Sequence, residues 1–253
     1  MDGVDFVDGV LKNAVFVTGT GTDVGKTVVT AGILRYFRGQ GVDAVSMKPV
    51  QTGAELVGGR MVAPDLVVHH GASGLAPETD VLDLMAPYLY EPACSPHLAG
   101  RLANRYPDVD RIVECAEQLH ASHDCVLIEG AGGIMVPLDE SVTMLDLMRR
   151  LGCPVLLVAM RGLGTINHTL LSVEVLRGAG LEVLGVVFNE TESVERDFIR
   201  QDNPESVRRF GKVDILGDVD YLEGFDPLSE TTWEQFEKCM PGLPMIHQSI
   251  CRK

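Results

Sequence analysis

The sequence predicts an α/β fold, with a mostly parallel, twisted sheet flanked by helices on both faces. Two patterns lead there. Apolar runs rich in Val, Leu and Ile recur along the chain, and segments of helical periodicity alternate with them. Near-continuous apolar runs suit parallel strands buried on both faces. Alternation of strand and helix implies right-handed crossovers that place helices on either side. The length of 253 residues and a hydrophobic share of 45% suffice for one large core.

In order, residues 14–18 (Ala-Val-Phe-Val-Thr) form the first expected strand, and an amphipathic helix follows over about 27–38. Residues 44–47 are the second strand. The segment 49–109 is richer in Gly and Pro and less regular, as expected of long loops that build a site at the carboxyl ends of strands. A helix is expected over about 110–120, then a strand over 125–129 that ends on Glu129. Further helices fall at 143–151, 165–178 and 231–238, and further strands at 155–160, 183–188 and 213–216. Residues 1–13 are expected to be a flexible leader, and 14–253 a single domain.

Composition excludes several partners. The net charge is −15 and no basic run occurs, which argues against nucleic acid, whose binding relies on Lys and Arg. The longest apolar stretch, 153–160, is too short to span a bilayer. Residues 1–11 carry three Asp and no base, unlike a secretory or import signal, so a cytoplasmic protein is expected. Six cysteines stand without a Cys-x-x-Cys pair, as in reduced core positions rather than a zinc or disulfide framework.

The stretch Gly19-Thr20-Gly21-Thr22-Asp23-Val24-Gly25-Lys26-Thr27 links the first strand to its helix. A glycine-rich loop in that setting lets backbone N–H groups converge on phosphate oxygens, and the helix N-terminus adds partial positive charge. Gly21, Thr22, Asp23, Val24 and Gly25 would form the cradle. Lys26 would reach the β- and γ-phosphates and Thr27 would hold Mg²⁺. A P-loop nucleotide-binding fold follows. The loop has five residues between Gly19 and Gly25, one more than the usual spacing.

That longer loop resembles the one in dethiobiotin synthetases, ATP-dependent ring-closing enzymes of biotin synthesis, except that Gly21 stands where the family usually has Asp. Met47-Lys48-Pro49-Val50-Gln51-Thr52-Gly53 is similar to the family's segment after the second strand, and Glu91-Pro92-Ala93-Cys94-Ser95-Pro96-His97 to a later one. Pro64-Asp65, Val126 to Gly133, Gly164-Thr165-Ile166-Asn167-His168, Val187-Phe188-Asn189 and Leu216 to Leu222 extend the likeness. In the last of these, Asp220 replaces the family's proline. Residues 1–13 and about 223–253 match nothing in the family pattern.

The resemblance implies ATP, Mg²⁺, CO₂ and the diamino acid 7,8-diaminononanoate as reactants, and a homodimer. It implies catalytic roles for Lys26, Lys48 and Thr22, and metal ligation by Thr27, Asp65 and Glu129. Asn189, Gly217 and Val219 would border the nucleotide base, since an Asn amide can pair bidentately with adenine. Lys48 and Thr52 would meet the substrate's reacting end. Gly164, Thr165 and Asn167, at a helix N-terminus contributed by the neighbouring subunit, would hold its carboxylate. Thr22 and Thr52 are equally readable as turn residues, and Thr165 as an ordinary helix cap.

Two alternatives remain: a ParA/MinD-like ATPase switch, and an ATP-binding homologue without ring-closing activity. Against the switch, Gly21 occupies the position of its signature lysine, and Pro241 and Pro244 interrupt any basic amphipathic tail. The retained Lys26, Thr27, Lys48, Asp65 and Glu129 argue against the second.

Overall fold

The computed structural model describes residues 11–251. The chain runs β1 (Ala14–Gly19), α1 (Lys26–Gly39), β2 (Ala44–Met47), β3 (Val50–Thr52), β4 (Glu55–Val57), β5 (Arg60–Val62), α2 (Pro64–Ser73), α3 (Thr79–Met85), β6 (Tyr88–Tyr90) and α4 (Pro96–Leu102). It continues α5 (Val109–Ser122), β7 (Cys125–Gly133), α6 (Met144–Leu151), β8 (Val155–Ala159), α7 (Thr165–Gly178), β9 (Val183–Asn189), α8 (Phe198–Gly211), β10 (Ile215–Val219), α9 (Glu230–Lys238) and α10 (Leu243–Ile250).

Six strands form one sheet in the order β10-β9-β8-β1-β7-β2, and every neighbouring pair is parallel. Alternation along each strand sends side chains to opposite faces. Phe16, Ile128, Leu157 and Val186 enter one hydrophobic layer with α5, α6 and α7. Val15, Val17, Leu127, Leu156 and Val187 enter the other with α1, α9 and α10. Two-sided burial explains the unbroken Val/Leu/Ile runs. At ~1.5–3 kcal/mol per large apolar side chain, these layers dominate the folding free energy.

Several elements depart from expectation. β7 continues to Gly133, so Glu129 lies within the strand, opposite Val17 of β1, rather than at its end. The irregular segment 49–109 contains β3–β6 and α2–α4, all short. β3 pairs with β6 in parallel, tying the segment after Lys48 to the one before Ser95. The last strand starts at Ile215, later than expected, because Lys212 takes a left-handed conformation (φ 45°) that ends α8.

The part beyond residue 222 packs as core: Trp233, Phe236, Leu243 and Ile246 are buried against the α1 side of the sheet. A methyl group on Gly32 of α1 would lie 2.2 Å from the Phe236 ring, so the two helices approach only because that residue is glycine. Pro244 sits in the first turn of α10, starting that helix rather than interrupting it. Of the expected leader, Leu11 is buried and its N–H donates to the Leu151 carbonyl. Residues 1–10 lie outside the described part.

Candidate active site

The loop between β1 and α1 turns tightly at Gly25, which caps α1 with φ 89°, and at Asp23, with φ 57°. Glycine is required at 25: a Cβ there would stand 2.0 Å from the Asn189 amide nitrogen. Asn189, at the end of β9, donates from that nitrogen to the Val24 carbonyl at 3.2 Å and so braces the loop from below. Lys26 curls back and donates to the Gly21 carbonyl at 2.9 Å. Burial, helped by repulsion from Lys48, lowers the Lys26 pKa to about 8.

Lys48 follows β2 and is buried. Its ammonium lies 2.5 Å from Asp65 Oδ2 and 2.7 Å from Glu129 Oε1, and donates to the Gly130 carbonyl at 3.2 Å. Burial alone would lower its pKa, but the two carboxylates outweigh this and hold it above the usual lysine value. Burial likewise pushes the Glu129 carboxyl up, while Lys48 and then His69 hold it well below the ordinary range. Thr27 Oγ1 donates to Glu129 Oε1 at 3.1 Å.

Thr27 thus meets Glu129 directly, and Asp65 is tied to the same carboxylate through the Lys48 ammonium. An all-oxygen set suits a hard cation, and Mg²⁺ commonly takes only one or two carboxylates and completes its shell with phosphates and water. Among the described residues no group of three His, Cys, Asp or Glu side chains forms a metal cage. The residues present thus fit a cation shared with a polyphosphate.

A cleft of about 750 Å³ opens above these groups, with Thr22, Asp23, Gly25, Lys26, Thr27, Lys48, Thr52, Asp65 and Glu129 all in its lining. Val24 and Gly21 do not line it: Val24 anchors the loop in the core, and Gly21 supplies the carbonyl that Lys26 holds. Cys94, Ser95 and Gln51 line the cleft without having been predicted as site residues.

The remaining expected residues lie elsewhere. Gly217 faces Met240, whose sulfur would be 2.0 Å from a Cβ there, and Val219 is fully buried. Gly164 is the cap of α7, with φ 95°, so Thr165 is the first helical residue rather than the cap. Thr165 is buried against Thr169, while Asn167 is exposed, and neither reaches the cleft of this chain.

Two features escaped sequence reading. His69, buried on α2, bridges Ser46 and Glu129. The only trace of it in the sequence is the spacing Asp65 to His69, which puts both on one helix face. The second is Arg161, whose side chain is 2% exposed and reaches Glu190 at 3.2 Å, Asp218 at 2.9 Å and Asp220 at 2.8 Å. The unusual Asp220 thus has a partner.

A phosphate loop at the carboxyl edge of a parallel sheet, two lysines and a carboxylate pair define a nucleotide-binding α/β protein of the P-loop class. In agreement, residues 13–229 match the family described as an AAA domain. Within that class the chain belongs to the ATP-dependent dethiobiotin synthetase family. It is 43% identical to the ATP-dependent dethiobiotin synthetase BioD of Halalkalibacterium halodurans, over 84% of this chain and 86% of that one. It is 35% identical to that of Thermodesulfovibrio yellowstonii, over 90% and 97%. Among solved structures, the cell division ATPase MinD of Pyrococcus furiosus aligns with a TM-score of 0.53 at 20% identity, covering 94% of this chain and 97% of the other. The MinC:MinD complex of Aquifex aeolicus gives 0.56 at 14%, covering 95% of each. These two likenesses concern the fold alone.

Proposed function

We propose that this chain joins CO₂ to 7,8-diaminononanoate and closes the ring to dethiobiotin, with ATP converted to ADP and phosphate. The observation that carries the reading is the meeting of Lys26, Lys48, Thr27, Asp65 and Glu129 in one cleft beside a phosphate loop. One substrate amine adds to CO₂, forming a carbamate and releasing a proton. A carbamate oxygen then attacks the γ-phosphorus, and ADP departs. The second amine attacks the carbamate carbon, expels phosphate and loses its proton, leaving the cyclic urea.

Each step makes a demand that these residues fit. An alkyl amine has a pKa near ~10.4 and is protonated at neutral pH, so a neighbouring ammonium favours the free base needed for attack. Lys48, held charged by its carboxylates, is suited to that task and to binding the carbamate. Lys26 would stabilise charge gathering on the transferred phosphoryl group. Thr27, Asp65 and Glu129 would hold Mg²⁺, which when bound neutralises charge on the phosphate oxygens. Thr22 and Thr52, both on the cleft wall, offer hydroxyls to carbamate or diamine.

The nucleotide base would lie toward Asn189, with Gly217 and Val219 behind it. The substrate carboxylate would be met by Gly164, Thr165 and Asn167 of a second copy, making the working form a homodimer. Outward-facing Leu163 and Leu171 on the same segment support pairing there. A reducing, cytoplasmic setting is inferred too, supported by six free cysteines. No helix among the described residues is long and apolar enough to cross a membrane.

The test supplies ATP, Mg²⁺, bicarbonate and the diamine, and follows phosphate release together with urea formation. Phosphate release that requires the diamine is expected. Hydrolysis indifferent to it would favour a switch ATPase and refute the reading.

A further inference from the structure

Glu129 is held from two sides. Its Oε1 accepts from Lys48 at 2.7 Å and from Thr27 at 3.1 Å. Its Oε2 meets His69 Nε2 at 2.9 Å, and the other ring nitrogen of His69 meets Ser46 Oγ at 3.0 Å. Ser46 and His69 are fully buried and Glu129 is 1% exposed. A carboxylate only accepts, so Nε2 carries the ring proton. The other ring nitrogen pairs with the Ser46 hydroxyl, so both nitrogens of the buried ring have a partner.

We propose that His69, set by Ser46, is a positioning residue that fixes the rotation of the Glu129 carboxylate and thereby raises the cation affinity of the site. The inference rests on the reading of Glu129 as a metal ligand. The terminal torsion of a glutamate is broad, so rotamer preference alone does not fix the plane of the carboxylate. The bond from Nε2, opposite the donors on Oε1, fixes it. Because Asp65 and His69 lie one turn apart on α2, a single helix delivers one carboxylate to the cation and orients the other. Partners behind a metal ligand commonly change affinity by about 10–100-fold when removed.

Two substitutions separate orientation from filling. In H69Q the amide nitrogen reaches the place of Nε2 and still donates to Glu129. In H69N it reaches only the place of Nδ1. The full chain is titrated with Mn²⁺ at saturating ADP, with free Mn²⁺ read by electron paramagnetic resonance. ADP binding in EDTA and urea unfolding are measured in parallel.

H69N is expected to weaken Mn²⁺ binding by about tenfold or more, and H69Q to stay within about threefold of the native protein. ADP binding in EDTA should change less than about twofold in both. Native Mn²⁺ affinity in H69N, or equal losses in both variants, would overturn the proposal. Should H69N fail to fold, S46A serves: it leaves ring and carboxylate in place but frees the ring to turn. S46A should lose affinity measurably, and a native value would count against the idea. Absence of diamine-dependent phosphate release in the native protein would sink the proposed reaction, while the Mn²⁺ comparison would still judge His69.

Discussion

Replacing Lys48 by Met keeps most of the buried stem and deletes the charge. Glu129 is then left, 1% exposed, with hydrogen bonds from His69 and Thr27 but without its ammonium partner. Removing one partner of a buried ion pair costs ~3–5 kcal/mol, because the other charge stays desolvated. Asp65 adds less, since its side chain is 22% exposed and can be hydrated. A loss of ~3–5 kcal/mol is a large share of a typical stability of about 5–15 kcal/mol.

The pH dependence identifies the cause. In the native protein the Glu129 pKa is depressed, so its contribution is present above the unfolded value of 4.5 and disappears as pH falls through the lower folded one. Without Lys48 the burial effect dominates and the folded pKa rises above the unfolded value. The penalty in K48M is then full at pH 8 and shrinks as pH falls toward 5, where Glu129 begins to take up a proton. Urea unfolding at both pH values measures it. A difference below ~1 kcal/mol at pH 8, within what an exposed pair contributes, or an equal difference at both, would refute this account. Ring closure should be lost at either pH.

Four other substitutions probe three different parts of the molecule. Gly25→Ala forces a Cβ onto Asn189 at a left-handed residue, and calorimetry should show ATP affinity reduced about tenfold or more. Arg161→Met should cost about 2–4 kcal/mol in urea, because Glu190 stays buried with only Arg200 at 3.3 Å, whereas Asp220→Pro, at an exposed partner, should cost less than about 1. His70 has its pKa lowered to about 4, first by burial and then by His69, and its Nε2 has no hydrogen-bond partner among the described residues. Between pH 4 and 6.5 the unfolded chain binds the extra proton, so stability should fall as pH drops through that window. The effect is about 2 kcal/mol after allowing for partial exposure, and H70L should flatten that slope.

How much was legible depended on the range of the cause. The buried strands announced themselves because each run must be apolar on both faces, and α7 appeared at 165–178 as expected. The short elements β3–β6 and α4 have too few residues to display a period. Helix α8 was hidden by its polar content and by Pro204 within it. It forms because Asp197 caps it, accepting from the Arg200 N–H, and because Val207 and Gly211 bury against the core.

The phosphate loop is a contiguous stretch whose glycines, lysine and threonine act within nine residues, so the order of amino acids alone determined it. The family's matched segments carried Lys48, Asp65 and Glu129 into the same reading. Only the folded chain could decide that Glu129 sits inside a strand, bound by a histidine sixty residues away, and that Asp220 answers to Arg161. Those are contacts between side chains remote in sequence, and their energies depend on burial. Burial is a property of the packed layers, and no single segment carries it.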